Sequence, residues 1–214
     1  YKVVAGVAVL ATVAGSAVAN SVLTKPEYIT AVSSAASIKT LAYAGDQITG
    51  LTIRGIPDGM GAYRNEDGTI TLLSVHEVPS YGAVGTLAKA ADAGKPIQGV
   101  SISKLTLNQD GTRVNRASDF IKSWSFYNYN TKTYQASPKG AAPTTQTLGM
   151  DNFISRFCSA TLVQAGSLSF KDGATTLGYD GAVFLAGEED GDSGYGRGFA
   201  FDMDGNGINL PRMG

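Results

Sequence analysis

The sequence predicts an all-β protein, and three observations carry that reading. Short apolar-alternating runs recur along the chain, turns rich in Gly and Asp separate them, and long helical periodicity is scarce. Ser, Thr, Gly, Tyr and Val are common, with Gly alone counting 27 of 214 residues, a composition suited to pleated strands joined by tight turns. This pattern leaves a sandwich, a barrel and a propeller open. No fixed-period repeat selects among them.

Residues 1–19 read as an export segment. Lys2 precedes the apolar run 3–16, and Ala17-Val18-Ala19 forms a small-residue cleavage pattern. The run is rich in Ala and Gly and short for a membrane span, so a retained anchor is the competing reading. The chain opens on Tyr1 rather than Met, so the start of this segment is expected to be missing. Residues 20–214 then form one portion of a β domain. Within 20–44, the stretches 27–29 and 38–41 read either as short strands or as a helical turn. Residues 48–55 alternate as a strand, and 56–61 read as a turn or loop because Pro57 and two glycines punctuate them.

Hairpins follow. Residues 62–64 and 69–75 flank an Asn65-Glu66-Asp67-Gly68 turn, and 99–107 and 112–114 flank Asn108-Gln109-Asp110-Gly111. A less clear pair joins 124–129 to 131–135, and 199–202 pairs with 208–210 around a Gly-bearing turn. Residues 182–186 make a strand that runs into Gly187-Glu188-Glu189. Residues 87–94 read as a helical turn in an insertion, and the Pro-, Ala- and Thr-rich 137–148 as a surface loop. The chain stops just after a strand-like run, so an N-terminal fragment of a longer protein is expected.

Composition excludes some partners. Charged residues are 16% of the chain and the formal net charge is −1, which leaves no electrostatic footprint for nucleic acid. The export segment places the protein outside the cell or in the periplasm, with no membrane association beyond that segment. No oligomeric state is implied.

Cys158 is the single cysteine and has no internal disulfide partner. It is a small buried hydrophobe, a link to another chain, or a metal-bound thiolate. Arg156 would favour the thiolate if its side chain points the same way. His76-Glu77 stands where a strand exits onto the rim, where sites are built, and a carboxylate there suits a hard cation. Asp58 joins this group from the early loop. His76 is the only histidine, which rules out a multi-histidine zinc centre from this chain, and no Gly-x-Ser-x-Gly supplies a triad nucleophile. The plain alternative is that His76 and Glu77 cap a strand and face water. Glu188 and Glu189 are adjacent carboxylates that repel unless a cation or proton neutralises them, so they read as metal ligands or as a solvated acidic loop. Residues 202–207 open like a calcium loop, but Met213 stands where that loop needs a bidentate Glu, and a tight hairpin turn is the better reading.

Taken in order, these pieces resemble a known family. Ile56-Pro57-Asp58-Gly59-Met60-Gly61, Leu72-Leu73-Ser74-Val75-His76-Glu77, Arg156-Phe157-Cys158-Ser159, Phe184-Leu185-Ala186-Gly187-Glu188-Glu189 and Gly196-Arg197-Gly198-Phe199-Ala200 are similar to the N-terminal part of the PhoX-type alkaline phosphatases and their secreted relatives. In that family a strand ending in an Asn-His-Glu-like motif precedes a cysteine-containing segment and a strand ending in Cys-Glu-Glu or Gly-Glu-Glu. The similarity runs over roughly 48–214 with a divergent middle. It implies a β-propeller, of which this chain would be an incomplete N-terminal fragment, with an iron and calcium cluster at one end of the central channel.

Carried over, Glu77, Cys158, and Glu188 or Glu189 become metal ligands, with Asp58 beside them. No catalytic side chain is assigned. The resemblance implies hydrolysis of a small-molecule phosphate ester, with the cations acting as Lewis acids. Arg197 either contacts phosphate or pairs with a carboxylate, and pairing is favoured. Two departures stand out: Val75 replaces the family's Asn, and 166–170 replace a Trp-rich stretch. The competing function is a non-catalytic, calcium-stabilised secreted propeller with a structural or adhesion role.

Overall fold

The computed structural model describes residues 29–77, 101–128, 131–138, 156–189 and 196–210, and every regular element among them is a β-strand. In chain order these are β1 (Gln47–Ile48), β2 (Leu51–Thr52), β3 (Ile56–Arg64), β4 (Ile70–Glu77), β5 (Ser101–Leu107), β6 (Val114–Asp119), β7 (Ser123–Asn128), β8 (Thr133–Pro138), β9 (Phe157–Val163), β10 (Leu168–Asp172), β11 (Thr175–Tyr179), β12 (Val183–Glu188), β13 (Gly198–Asp202) and β14 (Asn206–Leu210). The expected all-β class is therefore observed. The export segment, the 87–94 insertion, residues 139–148 and Met213 lie outside the described residues.

Two larger sheets dominate. The first is an antiparallel meander in the order β3-β4-β5-β6. The second has the order β8-β7-β14-β13-β12-β9; β9, β12, β13 and β14 are antiparallel, and the β7–β8 hairpin joins β14 in parallel. The pairs β1–β2 and β10–β11 stand as separate hairpins. Among the described residues no sheet closes on itself.

Side-chain alternation decides how the sheets pack. Leu73 and Val75 of β4 share one buried cluster with Ile102, Phe120, Phe157, Phe184, Phe199 and Phe201, which fills the space between the sheets. Leu72, on the opposite face of β4, joins Ala42, Ile53, Leu105, Leu107 and Ala117 in a second cluster. Burial on both sides explains why Thr71 to His76 are all buried. Phe157–Phe199 (centroids 5.4 Å apart) and Phe120–Phe184 (6.2 Å apart at 85°) meet edge to face, while Phe199 and Phe201 stack at 22°. Each such buried side chain contributes about 1.5–3 kcal/mol.

The strands β3 and β9, which open the two meanders, lie against each other. Gly59 makes the approach possible, because a Cβ there would overlap the backbone nitrogen of Ala160.

Two expectations are corrected. Residues 48–55 are not one strand: Thr49 (φ 47°) and Gly50 (φ 89°) turn the chain between β1 and β2. Two successive positive φ angles are the mark of a tight hairpin turn. The Thr49 hydroxyl repays its strained backbone by donating to the Ala117 carbonyl (2.7 Å) and accepting from the Ala117 amide (2.9 Å), which caps the edge of β6. Residues 56–61 are not a loop but the first part of β3. Pro57 is accommodated because β3 is an edge strand and the ladder is interrupted by a bulge between Pro57 and Met60.

The other expected hairpins form: β3–β4, β5–β6, β7–β8 and β13–β14. Residues 38–41 carry no strand. Ser137 and Pro138, assigned by sequence to a surface loop, end β8. At 202–206 the Asp202 carboxylate accepts from the amides of Asp204 (3.0 Å) and Asn206 (2.9 Å), the wiring of a hairpin turn.

Candidate functional site

Two bulges build the site. Pro57 pairs with His76 and Met60 with Ser74, so Asp58 and Gly59 together oppose Val75. Phe157 pairs with Glu188 and Ser159 with Gly187, so Cys158 is the extra residue in β9. A bulge bends its strand and re-aims a side chain, and bulges are common beside functional sites. Because β3 lies on β9, the two irregularities bring Asp58 and Cys158 into one neighbourhood. Glu77 arrives from the end of β4, and Glu189 follows the end of β12.

The electrostatics record this convergence. Burial raises the Glu77 carboxyl above its ordinary value, hydrogen bonding to the Asp58 carboxyl raises it further, and Glu189 adds repulsion that Arg156 opposes. Burial likewise raises the Cys158 thiol, with Glu189, Asp58 and Glu77 pushing the same way against a hydrogen bond from Ser159. Cys158 is a partly buried free thiol. Arg156 does not generate a thiolate as the sequence suggested. It spends its charge on carboxylates, with Nε 2.8 Å from Glu189 Oε2 and a terminal nitrogen 4.0 Å from Glu77 Oε2. Its carbonyl also accepts from the Glu189 amide at 2.8 Å.

Glu188 parts company with Glu189, since neighbouring strand residues point to opposite faces. Its side chain is fully buried and held by Arg197 through Nε (2.7 Å), a terminal nitrogen (3.0 Å) and the backbone amide (3.3 Å). The guanidinium stacks 5.7 Å from the Phe199 ring centre. Arg197 therefore takes the carboxylate-pairing role favoured for it. Of the five candidate ligands, Asp58, Glu77, Cys158 and Glu189 gather at one place, and Glu188 is engaged elsewhere.

His76 is buried rather than facing water. Its Nε2 lies 2.8 Å from the Ser103 hydroxyl, and Nδ1 has no hydrogen-bond partner. Burial pulls its pKa down to about 4; the nearby Arg54 backbone opposes this without meeting hydrogen-bonding geometry. It is neutral at physiological pH.

The donor chemistry suits cations: three carboxylates offer hard oxygens and Cys158 a soft sulfur. Burial and neighbouring carboxylates raise both Glu77 and Cys158, so a cation bound there would favour their ionised forms. The spacing does not complete the fit. Among the described residues no group of three or more His, Cys, Asp and Glu is placed to hold one ion. Arg156 offsets part of the cluster's charge instead. Sequence reasoning missed this central role of Arg156; the signal available was an Arg two residues before the cysteine.

The fold and site define an all-β protein with a carboxylate–thiol cluster at the adjoining ends of four strands. No protein-family model, no curated protein and no solved structure matches the chain.

Proposed function

We propose that this chain is the N-terminal portion of a secreted or periplasmic, metal-dependent phosphomonoesterase of the PhoX type. The observation that carries the reading is the convergence of Asp58, Glu77, Cys158 and Glu189 from four separate strand ends, the residues singled out by order along the sequence. The four-stranded meander β3-β4-β5-β6 and the antiparallel run β9-β12-β13-β14 within the six-stranded sheet, with β3 and β9 side by side, also suit neighbouring propeller blades.

Iron and calcium, when bound, would supply Lewis-acid stabilisation of phosphate oxygens. Cys158 would serve iron, and Asp58, Glu77 and Glu189 would offer oxygens to either ion. For this to happen the Cys158 thiol must lose its proton, and Arg156 must turn from Glu189. The Arg156–Glu189 pair is half-exposed, so releasing it costs no more than about 1 kcal/mol.

A second reading rests on Arg156 itself. A guanidinium already bridging Glu77 and Glu189 makes the cluster an ion-paired staple, as a non-catalytic structural or adhesion propeller would have. One experiment separates the two. The complete secreted protein is analysed for bound iron and calcium and assayed with p-nitrophenyl phosphate at alkaline pH. Stoichiometric iron that is lost in Cys158→Ser, together with hydrolysis, supports the enzyme. A folded protein with neither iron nor activity overturns it and leaves the staple.

A further inference from the structure

We propose a second site, a groove for a small oxyanion on the first sheet, separate from the carboxylate–thiol cluster. Lys104 and Thr106 of β5 stand beside Ser118 and Arg116 of β6, since Lys104 pairs with Ser118 and Thr106 with Arg116. All four share the face that carries Leu73 and Ile102 into the core, because Lys104 is also the cross-strand partner of Leu73. Where that face leaves the core it forms an open groove of about 190 Å³, floored by Phe120 and Met203 and completed by Lys122.

Arg116 and Lys122 are exposed and Lys104 is half-buried, so the groove presents their charge to solvent. Among the described residues, neither Lys104, Arg116 nor Lys122 forms a salt bridge. Two carboxylates also line the groove, Asp119, which already has partners within the fold, and the exposed Asp204. The three cations and the hydroxyls of Thr106 and Ser118 leave a donor-rich surface that matches tetrahedral oxygen acceptors. The volume is the share of about six waters and falls below drug-sized pockets, so it suits a phosphate or sulfate group rather than a whole organic substrate. Charge along an edge strand such as β6 is also a device that discourages edge pairing, and the test separates that role from binding.

The test titrates inorganic phosphate, and sulfate in parallel, into the full chain while amide shifts are followed by NMR. Saturable shifts at Lys104, Thr106, Arg116 and Ser118 in the millimolar range are expected. They should weaken at least tenfold in Lys104→Gln/Arg116→Gln and stay unchanged in Lys171→Gln on β10. Saturation by phosphate but not sulfate would assign the groove to phosphate groups; equal response would assign it to oxyanions generally. Absence of saturation, or saturation that persists in the double variant, overturns the proposal and leaves edge protection as the role of these charges. The Lys104→Gln variant alone, with a preserved circular dichroism spectrum, guards against a folding artefact.

Discussion

Removal of the Arg197 guanidinium is the sharpest probe of how this fold holds charge. Glu188 is fully buried and Arg197 is 12% exposed, so the pair sits away from water. Breaking such a pair leaves an uncompensated buried carboxylate, at a cost of about 3–5 kcal/mol. Three contacts from one residue, at 2.7, 3.0 and 3.3 Å, argue for the upper part of that range, although the backbone contact survives substitution. Arg197→Ala should therefore lower the urea midpoint by about 2 M, for a slope of about 2 kcal/mol per M. Arg197→Lys keeps a charge but offers no planar fork, and should cost about 1.5–3 kcal/mol. Glu188→Leu/Arg197→Met removes both charges and should recover most of the loss. Equilibrium unfolding in urea, followed by far-ultraviolet circular dichroism, measures all three. An Arg197→Ala cost under about 1 kcal/mol, the worth of a surface pair, would refute the reasoning.

Three further outcomes are expected. Stability should fall as pH drops from 6.5 to about 4, because the unfolded His76 takes a proton in that window and the buried one does not; the loss is about 3 kcal/mol, and His76→Gln should flatten that part of a urea-midpoint profile. Gly59→Val should cost about 1–3 kcal/mol by driving β3 from β9, and should change the alkylation rate of Cys158 because Asp58 moves with β3; a thermal midpoint within 1 °C of the parent (about 0.3 kcal/mol or less) would contradict the close approach. Glu189→Gln should speed alkylation of Cys158 by iodoacetamide at pH 8, since it removes a repelling carboxylate and frees Arg156 to favour the thiolate; an unchanged or slower rate would separate Glu189 from the thiol.

The strands that announced themselves did so through turn chemistry. Asp-Gly turns at 67–68 and 110–111 marked β3–β4 and β5–β6, and the continuous apolar run 182–186 marked β12. What stayed hidden depended on neighbours far along the chain. Pro57 and two glycines read as a loop because nothing local reveals that β3 is an edge strand resting on β9. The split at Thr49-Gly50 was hidden because a β-branched residue at positive φ is stabilised by Ala117, 68 residues away. The site was legible as a set of strand ends, yet its charge balance was not. Period-two alternation alone parts Glu188 from Glu189, but the choice of Arg197 for one and Arg156 for the other is a tertiary result.

The parallel union of β7 with β14 has a consequence for how this chain reaches its native state. Ser123 and Asn206, which hydrogen-bond across that seam, are 83 residues apart. Closing a flexible loop of that length costs about 4 kcal/mol in chain entropy before any contact offsets it. During synthesis the β7–β8 hairpin emerges well before its docking strand exists, and two-stranded ribbons are marginal in water. The second sheet should thus assemble late and slowly, with β7–β8 arriving as the last step and the waiting ribbon exposed to wrong partners in the meantime.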